Sequence, residues 1–208
     1  MMNKLLIQLM MVLCVSILIA TPSYSHLNSM SFSKIEVKEN EVRWQMKFTL
    51  LCTLELFAVD VDNNNFLSDE ELKSAWSMMY YYLSNKIKVL SEGKQLRMVL
   101  KDIKFSVEED DSYTVFELSF PFRQNPQGFM FLCNVQEETD PYHQGMAEIY
   151  LPKENYLFVF SNVNYFDTQN VPRFARKFDP EELKKMVEQK GAASSGTIEE
   201  ATKTESGK

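Results

Sequence analysis

Glycine is scarce in this chain, with 6 in 208 residues, and histidine and cysteine are rarer still, at 2 and 3. Each scarcity removes a class of chemistry. No glycine-rich phosphate loop is present, and neither G-x-S-x-G nor H-E-x-x-H occurs. Two histidines and no Cys-x-x-Cys cannot build a dense zinc centre. Basic residues are also in deficit, 22 against 29 acidic ones. That balance disfavours nucleic acid and anionic membrane surfaces, and suits cations. The carboxylates are many, but no pair is singled out by spacing, so the chain reads as non-enzymatic.

Long apolar runs are confined to one place. Met1 to Lys4 form a short positive segment, and Leu5 to Ala20 are almost wholly apolar. "TPSYS" follows, with small residues Ser23 and Ser25 at the −3 and −1 positions before His26. This layout predicts a secretory signal peptide over 1–25. The expected mature chain, from His26, would be secreted or periplasmic and would not span a membrane. It carries 21 basic and 29 acidic residues, because the leader holds Lys4 and no acid.

Short alternating patterns dominate what remains. Val42, Trp44, Met46 and Phe48 alternate with Arg43, Gln45 and Lys47, and pair by pattern with Ile35 and Val37 across the polar "KEN". That predicts a β-hairpin. Strand patterns resume at Ile87 and Val89, at Leu96, Met98 and Leu100, at Ile103, Phe105 and Val107, at Phe116 to Phe122, and in "GFMFLCNV", "MAEIYL" and "YLFVFSNV". Between them, 49–84 changes period. Leu50, Leu54, Phe57 and Ala58 stand at helical spacing, as do Leu72, Ala75, Trp76, Met79, Tyr80 and Leu83. The expected fold is α+β: an antiparallel β-sandwich over 26–178 with a helix–loop–helix inserted at 49–84. Asp179, Pro180 and Glu182 then predict the start of a C-terminal helix over 179–190, with Leu183, Met186 and Val187 as its apolar stripe. Residues 191–208, small, polar and charged, read as a disordered tail.

The loop inside the insert is "DVDNNNFLSDEE", Asp60 to Glu71. Numbered from Asp60, oxygen-bearing side chains fall at positions 1 (Asp60), 3 (Asp62), 5 (Asn64), 9 (Ser68) and 12 (Glu71). Phe66 stands at 7 and the apolar Leu67 at 8. The pattern resembles a single EF-hand over about 36 residues. The resemblance implies that Asp60, Asp62, Asn64, Ser68 and Glu71 offer side-chain oxygens to calcium, Phe66 its carbonyl, and Glu71 both oxygens. Position 6 departs from the family, with Asn65 where glycine usually stands. Asparagine best tolerates the left-handed backbone that site needs. The same residues support a plainer reading, since Ser68 and Glu71 also form a capping box for the following helix. No second such loop is found, and a lone extracytoplasmic site is expected to be weak, about 10⁻⁴ to 10⁻³ M.

Two further constellations are candidates. An N-terminal His26, offering its amine and imidazole, could join His143 in a copper or nickel site. Cys52 and Cys133 could form a disulfide in an oxidising compartment.

The order of features resembles a larger unit. It runs from a histidine at the mature start through "SFSKIEV", "EVRW", "DVDNNNFLSDEEL", "YYLSNKIKVLSEGKQL" and "FELSFPF" to "DPYH". Across residues 26–165 this is similar to the extracytoplasmic N-terminal domain of HupE/UreJ-like membrane proteins. The resemblance implies a metal-related binding role outside the cytoplasm. Those proteins continue into transmembrane helices and this chain into a polar tail, so no transport activity is carried over. The expected function is calcium binding by one loop. The alternatives are a partner-binding or assembly module with a vestigial loop, its partner a membrane or periplasmic protein, and a copper- or nickel-binding accessory protein using His26.

Overall fold

The computed structural model describes residues 30–108, 111–123, 126–140, 143–161, 163–181 and 185. The predicted signal peptide, most of the predicted C-terminal helix and the predicted tail lie outside these residues.

Strands β1 (Met30–Val37) and β2 (Glu41–Thr49) form the predicted hairpin. Helices α1 (Leu50–Phe57) and α2 (Asp69–Lys86) follow with the acidic loop between them. Then come β3 (Ile87–Ser91), β4 (Lys94–Gln95), β5 (Val99–Glu108), β6 (Asp111–Pro121), β7 (Phe129–Cys133), β8 (Gln144–Tyr150), β9 (Asn155–Phe160), β10 (Phe166–Asp167) and β11 (Arg176–Lys177). The larger sheet has the order β11-β9-β8-β1-β2-β6-β5, and the smaller β10-β7-β3-β4. The fold is α+β with a sandwich-like pair of sheets.

One pairing departs from the antiparallel expectation. β1 runs parallel to β8, Met30 opposite Gln144 and Ile35 opposite Ile149. Period-two alternation sets which face a strand buries and is silent on its direction, so the pattern could not reveal this.

Alternation places the core. β2 turns Val42, Trp44, Met46 and Phe48 inward, all fully buried. The Trp44 indole stacks on Phe160 at 5.6 Å and meets Phe131 of the smaller sheet edge-on at 6.1 Å. Its Nε1 donates to Ser33 Oγ at 2.9 Å, so the one polar atom of the ring is satisfied inside the core.

α1 begins where β2 ends. Thr49 caps it, its hydroxyl accepting from Cys52 N, and Ala58 ends it in the left-handed region at φ 46°. It buries Cys52, Thr53 and Phe57, while Leu50, Leu54 and Leu56 are half-buried and Leu51 is exposed. The face is therefore rotated from the one the leucine spacing suggested. Thr53 decides this by donating to Thr49 O and pairing with the buried Thr114 hydroxyl of β6. α2 buries Leu72, Ala75, Met79 and Leu83, with Trp76 and Tyr80 half-buried, as its spacing predicts.

Among the described residues no helix is long and apolar enough to cross a membrane.

Cys52 and Cys133 are both buried and unbridged. The candidate disulfide is absent because its partners serve different layers. Cys52 faces the large sheet from α1, whereas Cys133 pairs with Ile87 within the small sheet. Burial pushes the Cys133 thiol up to about 12, which keeps it protonated and inert.

Candidate functional site: the acidic loop

The loop is shaped by its own side chains acting on its own backbone. Asp60 Oδ1 accepts from Asn64 N at 3.1 Å and Oδ2 from Asn65 N at 2.9 Å. Asp62 Oδ1 accepts from Asn64 N at 3.2 Å, and Asn64 Oδ1 from Phe66 N at 2.7 Å. Short acids and amides wind the chain in this way because they mimic a backbone turn. Asn63 and Asn65 both adopt left-handed backbone, at φ 56° and 58°. Asn65 thus takes the conformation for which glycine is usual, at the cost asparagine bears best.

Two contacts fasten the loop to the body. Leu67 is 1% exposed, and the Phe66 ring meets Phe105 of β5 edge-on at 4.8 Å. Position 8 is therefore the anchor its apolar character implied. Position 7 adds a second anchor that spacing alone did not indicate.

Glu71 closes the loop. Its Oε1 accepts from Val61 N at 2.8 Å, while Oε2 accepts from Ser68 N at 2.9 Å and from Ser68 Oγ at 2.8 Å. Ser68 Oγ in turn accepts from Glu71 N, completing the capping box at the start of α2. Hydrogen bonds from the Ser68 backbone, the Ser68 hydroxyl and the Val61 backbone hold the Glu71 carboxyl below the usual value of 4.5. The carboxylate is therefore the form this geometry selects.

These contacts gather three acids. One oxygen each from Asp60, Asp62 and Glu71 lies within 4.8 Å of the others. Such a cluster repels itself, and the repulsion is relieved by a cation, by protonation or by hydrogen-bond donors. Val61 N, Asn64 N, Asn65 N and Ser68 supply donors. No basic side chain is paired with the three acids among the described ion pairs. Asp60, Asp62 and Glu71 could together hold a metal ion, and hard carboxylate and amide oxygens are the donors that calcium takes. Asn64 Oδ1 and the Phe66 carbonyl belong to the same segment, and Ser68 Oγ is already bonded to Glu71.

The second predicted constellation is not assembled by the described residues. His26 lies outside them. His143 is buried, with Nε2 3.0 Å from Ser31 Oγ. The cavity beside it measures about 10 Å³, room for a single water at most.

Compared with known proteins, the chain matches no protein-family model and no curated protein sequence.

Proposed function

We propose that this protein is an extracytoplasmic, non-enzymatic calcium-binding protein whose single EF-hand-like loop is ordered by the ion. The observation that carries the reading is the convergence of Asp60, Asp62 and Glu71, from both ends of a twelve-residue stretch, to within 4.8 Å. In the bound state Asp60, Asp62 and Asn64 give side-chain oxygens, Phe66 its carbonyl and Glu71 both carboxylate oxygens. Three of the roughly four lone-pair positions of Glu71 are engaged by Val61 N, Ser68 N and Ser68 Oγ. The ion displaces the hydroxyl, which turns to serve as the ligand at position 9, directly or through water. Cap and ligand are then successive uses of the same carboxylate, and the two readings of "SDEE" are compatible.

What calcium does follows from where these residues sit. It ties the end of α1 to the first turn of α2 and removes the repulsion among the acids. A site of about 10⁻⁴ to 10⁻³ M is filled where calcium is abundant and acts as a structural clamp rather than a cytosolic-type sensor. At about 1 mM free ion it adds roughly 0.4 to 1.4 kcal/mol of stability.

The test is calorimetric titration of chelator-stripped residues 26–208 with calcium, beside Glu71→Gln. One saturable site, lost in the variant, is expected. Absence of heat together with an unchanged melting temperature at millimolar calcium would sink the proposal.

One observation favours a second reading. The loop is closed by its own hydrogen bonds with no ion required, as a rigid turn in a partner-docking module would be. Under that reading the loop geometry and the stability are independent of calcium.

A further inference from the structure

The smaller sheet covers one face of the larger, as Phe131 on Trp44 shows. The opposite face carries an open groove of about 780 Å³. Strand register lays Val159 of β9, Met146 of β8 and Phe32 of β1 side by side along it. A solvated sheet face ordinarily carries polar residues at such positions. Here Met146 is 44% exposed and Val159 39%.

The next row of the same face, two residues further along or back on each strand, carries charge in a regular order. Across β11, β9, β8, β1, β2 and β6 it reads Arg176, Leu157, Glu148, Lys34, Gln45, Glu117. Reversed end for end, the row meets its own complement. Arg176 falls on Glu117, Leu157 on Gln45, and Glu148 on Lys34. Gln45 donates to Glu117 at 2.8 Å and Tyr150 to Glu148 at 2.7 Å. Yet neither of these acids, nor Arg176, forms an ion pair among the described residues. Lys34 has Glu36 of its own strand at 3.2 Å, an exposed pair of the weakly held kind.

Reversal is what a two-fold axis does. An axis along the strands, between β1 and β8, sets a second copy face to face with the first. Stacked sheets lie about 10 Å apart, within the combined reach of a lysine and a glutamate side chain. Glu148 of each copy then meets Lys34 of the other near the axis, and Arg176 meets Glu117 at the ends. The same axis brings Met146 of each copy onto Phe32 of the other, so the groove fills with apolar side chains from both. Moving the axis onto β8 or onto β1 would set Glu148 or Lys34 on itself, which disfavours those alignments. The row holds two bases against two acids on a chain of net charge −7, so two copies approach here without the general repulsion.

We propose that the outer face of the large sheet is a homodimer interface, in which a second copy of this chain, related by a two-fold axis between β1 and β8, closes the groove. The interface does not depend on calcium.

The test follows the mass of the chain from His26 to Lys208 by sedimentation equilibrium over a concentration series. A monomer–dimer equilibrium that stops at the dimer is expected, because a two-fold interface closes on itself. Lys34→Glu and Glu148→Lys, each alone, set like charges against one another across the axis. Either should weaken dimerisation about tenfold or more. Mixed in equal amounts, the two variants should associate again, since each meets its opposite in the other. Recovery in the mixture separates a contact between chains from the cross-strand neighbourhood of Lys34 and Glu148 within one chain. Arg176→Glu mixed with Glu117→Arg repeats the exchange at the ends of the row, with a smaller effect in the same direction. Circular dichroism of each variant verifies its fold. A wild-type chain that stays monomeric would overturn the proposal and assign the groove to a different molecule. Single variants that dimerise as the wild type does, a mixture no tighter than its components, or growth past the dimer would also overturn it.

Discussion

The acidic loop and the sandwich core solve the same problem, a unique backbone path, by opposite means. In the core, Trp44, Phe131 and Phe160 interlock by shape, and burial supplies the free energy. In the loop, hardly a side chain from Asp60 to Phe66 is buried, and oxygens of Asp60, Asp62, Asn64 and Glu71 fix the path by accepting from the backbone. A core of this kind is indifferent to ions and nearly so to pH. On the calcium-binding proposal, a loop built on clustered carboxylates responds to both. The region that responds to the solution is thus bolted to one that does not, at Leu67 and through Phe66 on Phe105.

The contrast can be broken from the core side first. Trp44→Ala should cost about 3–5 kcal/mol, through the lost aromatic contacts and a Ser33 hydroxyl left without its donor. Denaturant unfolding would measure it, and the loss should be the same with and without calcium. Asn65→Val comes next, because a β-branched residue is strained at φ 58°. A loss of about 1–2 kcal/mol is expected, with Asn65→Gly neutral or stabilising. Ser68→Ala removes the cap of α2 and should cost about 1 kcal/mol in the absence of calcium. Calcium at about 1 mM should raise the melting temperature by only about 1–5 °C, and the rise should vanish in Glu71→Gln.

The smallest effect concerns acid. Folding depresses the Glu71 carboxyl below 4.5, so its contribution to stability is complete above that value. It is lost as pH falls through the lower folded value. Unfolding of the calcium-free protein followed from pH 6 downward should show this component, and Glu71→Gln should lack it. An identical acid profile in the two proteins would show that the cap does not depend on the charge.

Much of this was legible in the residues. The β1–β2 hairpin and the buried stripe of α2 follow from period and spacing, because each element meets the core on one face. The closing of the loop by Glu71 follows from the Ser68–Glu71 pattern. Asn65 at position 6 pointed to a left-handed backbone. Other features depend on contacts far along the chain. The buried face of α1 is set by Thr53 meeting Thr114, 61 positions away, and leucine spacing alone gives a different face. β5 reads as two short strand patterns, and the structure joins them through an irregularity between Leu100 and Asp102. The two-residue strands β4, β10 and β11 are too short to carry a period. His143 is buried because Ser31 receives it, and nothing local to "DPYH" indicates that.

The parallel pairing of β1 with β8 has a bearing on the order in which the molecule can be made. Ser31 and His143, joined across that seam, are 112 positions apart. The first described strand lies in the middle of the large sheet, and one of its two neighbours leaves the ribosome long after it. A nascent chain that has reached β6 can already pair β1, β2, β6 and β5, but it holds β1 as an open edge with unpaired backbone donors and acceptors. The sandwich closes only when β8 and β9 arrive. Such long-range closure is slow, on the order of milliseconds to seconds, and until then the protein has an edge that another unfinished copy could occupy.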